Sequence, residues 1–361
     1  YPRHPEVGKH IVTNQKDLIE AIGSEEQAIE VANIFTRTTT EYSSLIDSTL
    51  DMDRLDYLLR DSQATGVPYG QVDINYLLNN LRISPRKTIG VSEKAIPAAE
   101  QSMLARLFMH RTVYLHKTTY GMEEACRQLL KRLREKRISK EGKEYDIPTN
   151  RNEVFEIVSS KRLLGFTDAY VDRLIQQALD DKDPVIRTLA QAITSRKPPK
   201  LLKSVEVIVK KEEDSNHPGV IFRHNCIERI KELADKHNIR VEQFLICNTK
   251  PITFEKRPHQ LPVQEAHRWD EEKEDELIKV FIEGNDEPVS LVDLGKRSLL
   301  PLLSGYFFQA FRLYVVYDGT DKDKVISSLK AAFSIALTRT SIGFFLVIFS
   351  IFSKVSFIIL Y

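Results

Sequence analysis

Two short stretches place acids, bases and phenols at intervals that a helix would gather on one side. In residues 51–61, DMDRLDYLLRD, Asp53, Tyr57 and Asp61 recur at every fourth position. On a helix they form one stripe with two carboxylates and a phenol. Arg54 and Arg60 border it, and Leu55, Leu58 and Leu59 are left to pack. Such a stripe could hold a metal ion, a sugar hydroxyl and a phosphate. The plainer reading is a solvated charged face with internal ion pairs. In residues 106–117, RLFMHRTVYLHK, Arg106, His110 and Tyr114 repeat at the same interval, and Lys117 extends that side. Arginine grips phosphate oxygens through its planar fork, and histidine titrates near neutrality. An acidic and a basic stripe facing a shared cleft would suit a phosphate ester bound through a cation. A buried helix–helix interface with ion pairs would use the same residues.

The elements that must carry these stripes are helical. Apolar residues recur at three- and four-residue intervals over residues 11–62, with Gly66, Pro68 and Gly70 ending the run. A short helix, DINYLLNNLR, and a brief strand and turn, IGVSEKAIPAAEQ, follow. Pro97 suits the first turn of a long helix predicted over residues 98–121. EEACRQLLKRLREK, NEVFEIVSSKRLL, DAYVDRLIQQALD and PVIRTLAQAIT also read as helices. SRKPPK, at 195–200, is the best linker candidate. Beyond it the period changes. VEVIVKK, IRVEQFLIC, ELIKVFIEG and FRLYVVYDG read as strands, and FRHNCIERIKELADKHN and DKVISSLKAAFSIAL as helices. The expected fold is mainly α: a helical domain over 1–200, then a smaller α+β domain over 201–338.

Composition excludes several classes. With 361 residues, 42% hydrophobic and 29% charged, the chain is neither disordered nor fibrous. Its net charge of +1 supplies no general basic field, so no specific nucleic acid partner is predicted. Cys126, Cys226 and Cys247 are far apart and form no CxxC pair, which argues against a zinc ribbon or redox dithiol and suits a reducing cytoplasm. The first residue is Tyr1, no signal peptide is evident, and the N-terminus reads as a cut end. Residues 342–361 hold one charge, Lys354, in twenty residues. This apolar tail, set apart as 339–361, reads as a buried element, a membrane anchor or a segment foreign to the fold. A membrane partner is expected only if the tail is genuine.

SSLIDSTLDMDRLDYLLRDSQATGVPYG resembles the last metal-binding helix of HD-domain phosphohydrolases. AAEQSMLARLFMHRTVYLHKTTYG is similar to a nucleotide-pocket helix of the same superfamily. The subgroup is that of the dGTPase-like enzymes and the SAM-and-HD-domain dNTP triphosphohydrolases. The two matches cover roughly residues 40–130 in the expected order. The resemblance implies an HD-type helical domain that uses a divalent metal (Mn, Fe, Mg or Zn) to split dNTPs into deoxynucleoside and triphosphate. Other phosphate esters remain open as ligands, and dimers or tetramers are expected.

By the same resemblance Asp53 is the last aspartate ligand of the metal. Arg54, Arg106 and His110 stand on the phosphate side. Tyr57 packs on the deoxyribose, Asp61 accepts from the 3′-hydroxyl, and Tyr114 is a further sugar-pocket residue. Arg82, Lys94, His116 and Lys117 match positions near regulatory nucleotide sites at subunit contacts. The sequence departs from the pattern in one respect. It contains no His-Asp dipeptide, and before Asp53 it offers only His4 and His10, beside Pro5 and Gly8. The upstream histidine and His-Asp ligands are absent from it, so the chain reads as an incomplete, N-terminally shortened hydrolase. The alternatives are a catalytically silent nucleotide-binding or oligomerisation module and, resting on the tail alone, a membrane-tethered accessory protein.

Overall fold

The computed structural model describes residues 2–36, 42–46, 48–85, 87–139, 145–210, 218–253, 278–298, 306–317 and 319–335. The apolar tail predicted over 339–361 lies outside them. Among the described residues no helix is long and apolar enough to cross a membrane.

The chain opens with α1 (His4–Asn14), α2 (Lys16–Ile22), α3 (Glu25–Thr36) and α4 (Ser43–Ile46). Ala28 and Ala32 are fully buried on α3, and small side chains there let helices approach closely. Next come α5 (Met52–Thr65), α6 (Ile74–Asn79), the antiparallel pair β1 (Leu81–Ile83) and β2 (Ile89–Ser92), and α7 (Ile96–Met109). Asp51 starts α5 by accepting from the Arg54 N–H at 2.7 Å. Gly66 ends it with a left-handed φ of 68°. Pro97 lies in the first turn of α7, as expected.

The predicted helix over 98–121 is in fact two helices. After α7 the chain makes one π-helical turn, His110–Tyr114, closed by the Leu115 N–H on the His110 carbonyl at 2.7 Å. His116 then leaves the helical conformation (φ −56°, ψ 135°) and caps α8 (Lys117–Ile138), its Nδ1 accepting from the Thr118 N–H at 3.4 Å. No proline or glycine marks this break, so the apolar period alone ran on through it. EEACRQLLKRLREK is the body of α8 rather than a separate helix. Helices α9 (Arg151–Val158), α10 (Asp168–Ala178) and α11 (Pro184–Thr194) follow. The proposed helix NEVFEIVSSKRLL divides into α9 and a 3₁₀ segment, Lys161–Gly165.

The remainder contains β3 (Lys200–Lys210), α12 (Pro218–His237), β4 (Phe244–Asn248), β5 (Ile252–Thr253), β6 (Lys279–Phe281), β7 (Val289–Ser290), β8 (Tyr306–Val315) and α13 (Lys322–Ile335). SRKPPK is a capped turn where a linker was expected. Arg196, at φ 53°, donates to the Ile193 carbonyl, and the Lys197 N–H reaches back to Ala192 at 2.8 Å. These bonds satisfy the end of α11 and bring β3 straight onto the helices.

Strand β8 is the centre of a sheet ordered β3-β8-β4, antiparallel throughout, with β5 also paired to β8. Its faces alternate, as a strand requires. Tyr314 packs with Leu129, Leu174 and Leu189 of the α8, α10 and α11 layer. Phe311, Leu313 and Val315 pack with Phe222, Ile230 and Leu329 of α12 and α13. Helices thus cover both faces, which is why FRLYVV is a continuous apolar run apart from Arg312. The chain also crosses back across the predicted boundary at 200. Strand β6 pairs parallel with β2, aligning Val91 with Val280, in a second sheet ordered β1-β2-β6-β7. That sheet, α5 and α7 share a core containing Leu55, Leu77, Val91, Ala99, Met103 and Val280.

Candidate functional site

Helices α5 and α7 pack on each other and turn their polar stripes inward. Leu55 and Leu58 are buried on α5, and Ala98, Ala99, Ser102, Met103 and Ala105 on α7. Ala and Ser allow the two backbones to approach, so the polar residues on the adjoining faces meet. The π turn adds one residue to the ring of backbone bonds and carries the basic stripe past the end of α7. This is the position where such irregular turns often serve function.

Six of the predicted residues come together here. The Tyr114 hydroxyl donates to Asp61 Oδ2 at 2.9 Å and spans the two elements. The Tyr57 and Tyr114 rings meet edge-on at 5.8 Å, and His110 meets Tyr114 edge-on at 5.0 Å. Burial raises the Tyr57 phenol pKa, against an opposing pull from Arg106 and Arg54. Burial lowers Arg106, the neighbouring Arg54 guanidinium lowers it further, and the Tyr57 phenol partly offsets both. Arg106 Nε is buried without a hydrogen-bond partner among the described residues. His110 is pushed down to about 4 by burial and then by Arg106 and Arg54, so the ring is neutral at pH 7. Burial and the bond to Asp61 keep Tyr114 protonated well above its ordinary range. The site is therefore positive where the two arginines meet and negative near Asp61, with neutral aromatic rings between.

Sequence reasoning passed over Asp51. It is 3% exposed, accepts from the Arg54 N–H, and lies 3.0 Å from Arg54 Nε. It therefore fixes Arg54 as well as starting the helix. The signal was an acid immediately before the first periodic apolar residues. Arg60 turns away to an exposed pair with Asp56 at 2.6 Å.

Asp53 is exposed on the first turn of α5. Among the described residues no three His, Cys, Asp or Glu side chains gather to hold a metal ion. One carboxylate cannot hold a transition metal tightly, because such centres need several ligands in fixed geometry. The residues described do not fit a metal centre. The four residues assigned to regulatory sites are all exposed but divided between two places. Arg82 lies on β1 opposite Gly90, and Lys94 in the 3₁₀ turn after β2. His116 and Lys117 begin α8.

Two cavities lie elsewhere. One of about 730 Å³ between α1, α8 and α10 is lined by Val7, Leu130, Phe166 and Leu174 among others. Another of about 320 Å³ is lined by Lys197, Tyr317 and Lys322. Neither gathers buried charge as the α5–α7 contact does, where the Tyr114–Asp61 bond closes the space between the stripes.

Comparison with known proteins agrees with this architecture. Residues 72–179 match the family described as HD associated region. The chain is 28% identical over 172 residues to the uncharacterized protein YwfO of Bacillus subtilis, covering 46% of this chain and 39% of that one. It is 33% identical over 113 residues to an uncharacterized protein of Methanocaldococcus jannaschii, covering 30% and 25%. The chain thus spans well under half the length of these relatives. In fold it is similar to a crystal structure of a phosphohydrolase from Bacteroides thetaiotaomicron, with a TM-score of 0.56, 18% identity and coverage of 86% and 75%. The chain is thus similar to the HD associated region over residues 72–179, and in its mainly helical fold to that phosphohydrolase structure.

Proposed function

We propose that the contact between α5 and α7 is the substrate pocket of an HD-type phosphohydrolase and takes a deoxynucleoside triphosphate. The observation that carries this reading is Arg106. Its Nε is buried and has no hydrogen-bond partner among the described residues, and the Arg54 guanidinium beside it repels the charge that Tyr57 and Asp51 only partly offset. A buried donor left without a hydrogen-bond partner is costly. A phosphate group would satisfy the free donor and separate the two positive charges. Tyr57, between Asp53 and Asp61 on one stripe, supplies a flat wall for a sugar. Asp61 retains an oxygen beyond the one taken by Tyr114 and can accept from a 3′-hydroxyl. Phosphate at Arg54 and Arg106 and sugar at Tyr57 and Asp61 use the charged groups of the site.

Hydrolysis to deoxynucleoside and triphosphate would require a metal centre, which the described residues do not supply. The second reading, a nucleotide-binding module without turnover, is favoured by the lack of a metal-holding group among the described residues. Both readings use the same pocket, and triphosphate release with added manganese, iron or magnesium separates them.

Calorimetric titration with dGTP, GTP and deoxyguanosine tests the pocket. Arg106→Met should weaken dGTP about 10- to 100-fold, the equivalent of one charge-assisted contact of about 1.5–3 kcal/mol. Deoxyguanosine should bind poorly to both proteins. Tyr57→Ala should narrow the gap between dGTP and GTP. Equal dGTP affinity in the parent and Arg106→Met, or an unchanged dGTP-to-GTP ratio in folded Tyr57→Ala, would refute the assignment.

A further inference from the structure

Arg312 lies in β8 and is 3% exposed, flanked by the buried Ala310, Phe311, Leu313 and Tyr314. Its Nη1 donates to the Leu115 carbonyl at 2.5 Å, and its Nη2 lies 3.5 Å from Glu206 Oε1 on β3. The guanidinium also covers the Tyr120 ring at 5.6 Å, and Nε has no hydrogen-bond partner among the described residues. Residues on the same face of β8 hold the same stretch of chain. Tyr314 donates to the Lys117 carbonyl at 2.9 Å, and Arg111 lies over the Phe308 ring at 5.0 Å. Arg111 also pairs with Glu206 at 3.7 Å. Alternation along one strand thus directs Phe308, Arg312 and Tyr314 at Arg111, Leu115 and Lys117.

The segment gripped is the π turn and its exit. A helix end leaves carbonyls without intrahelical partners, and Leu115 is the residue where this one stops. Burying a guanidinium with a long ion pair and its Nε unpaired is a poor way to gain stability, since an apolar residue of similar volume often does as well. It is an effective way to fix a carbonyl in one place. Leu115 directly follows Tyr114, whose hydroxyl must reach Asp61. A displaced Leu115 carbonyl moves the Tyr114 backbone and, through the ring contact, His110.

We propose that Arg312 is a positioning residue for the α5–α7 site: by holding the Leu115 carbonyl it fixes the π turn, and so sets where His110 and Tyr114 stand. The sheet formed after residue 200 thereby shapes a pocket built from residues before it. The consequence for ligand affinity rests on the nucleotide reading above. The consequence for the π turn does not.

The test uses the full chain with Arg312→Met, Arg312→Lys and a control, Leu313→Ala, which opens the opposite face of the same strand. Two readouts are compared with thermal stability: the His110 ring titration by NMR, and dGTP affinity. In the Arg312 variants the His110 pKa should rise from about 4 towards its ordinary 6.5 as the turn loosens. dGTP binding should weaken about tenfold or more, as expected when binding groups are misplaced by about an ångström. Leu313→Ala should lose comparable thermal stability and move neither readout. Should Arg312→Met not fold, Arg312→Lys, which keeps the charge and loses the planar fork, decides by the same two measurements. An unshifted His110 in folded Arg312 variants overturns the proposal, and so does an equal shift in Leu313→Ala. A parent chain that does not bind dGTP refutes the nucleotide reading instead, while the His110 titration still decides the role of Arg312.

Discussion

His110 should make the chain less stable in mild acid. Burial, Arg106 and Arg54 hold the folded imidazole pKa at about 4, against 6.5 for the free side chain. Above pH 6.5 the ring is neutral in both the folded and the unfolded chain, and it contributes no pH dependence. Between pH 6.5 and 4 the unfolded chain takes up a proton that the folded one refuses. Stability then falls by about 1.4 kcal/mol for each pH unit. Below pH 4 both states carry the proton and the effect levels off. From pH 7 to pH 5 the expected loss from this one group is about 2 kcal/mol, an upper value given its partial access to solvent. Urea unfolding at pH 7, 6 and 5, for the parent and for His110→Gln, isolates it. Glutamine stays neutral, so the difference between the two proteins should shrink or reverse as pH falls. The window stops short of the carboxylate range, where acids such as Asp181 begin to titrate. Parallel pH profiles for the two proteins would refute the reasoning, because a histidine that charges equally in both states makes no contribution.

Two further perturbations follow from packing. Asp181, 6% exposed, accepts from Lys136 Nζ at 2.6 and 2.7 Å, from Tyr145 at 2.5 Å and from the Asp183 N–H at 2.7 Å. Asp181→Ala strands an ammonium and a buried hydroxyl together and should cost about 3–5 kcal/mol in urea unfolding. Burial opposes its ionisation, yet the bonds from Lys136, Tyr145 and Asp183 prevail and depress its pKa below 3.8. Its contribution is therefore complete above the ordinary carboxylate range and is lost as pH falls through the depressed value. At Gly70 a Cβ would lie 2.3 Å from the Leu58 carbonyl oxygen and 2.8 Å from Ser62 Cβ. Gly70→Ala should push the turn Pro68–Gly70 off α5 and cost about 1–3 kcal/mol, read as a lower urea midpoint.

The sequence by itself determined the elements and the residues available for chemistry. Apolar periods of three and four gave α5, α10 and α11, and the runs VEVIVKK and FRLYVV gave β3 and β8, because burial on one or two faces repeats with the geometry of the element. Spacing also put Asp53, Tyr57 and Asp61 on one stripe and Arg106, His110 and Tyr114 on another. Other features were decided by contacts between residues distant in the chain. The break at Leu115 and His116 has no glycine or proline, and is held by Arg312 from almost two hundred residues away. The turn at Arg196 takes a left-handed conformation unusual for arginine, because the capping bonds to Ile193 and Ala192 hold it there. The pairing of β2 with β6 joins chain on either side of the predicted boundary, and no local pattern encodes which strand a short edge will meet. The charge states belong to the same class. His110 is an ordinary histidine in the sequence, and only the fold buries it beside two arginines and keeps it neutral. Local pattern sets which surfaces each element must hide. Which polar groups meet when those surfaces close depends on the three-dimensional arrangement, since desolvation and Coulomb terms act across space and not along the chain.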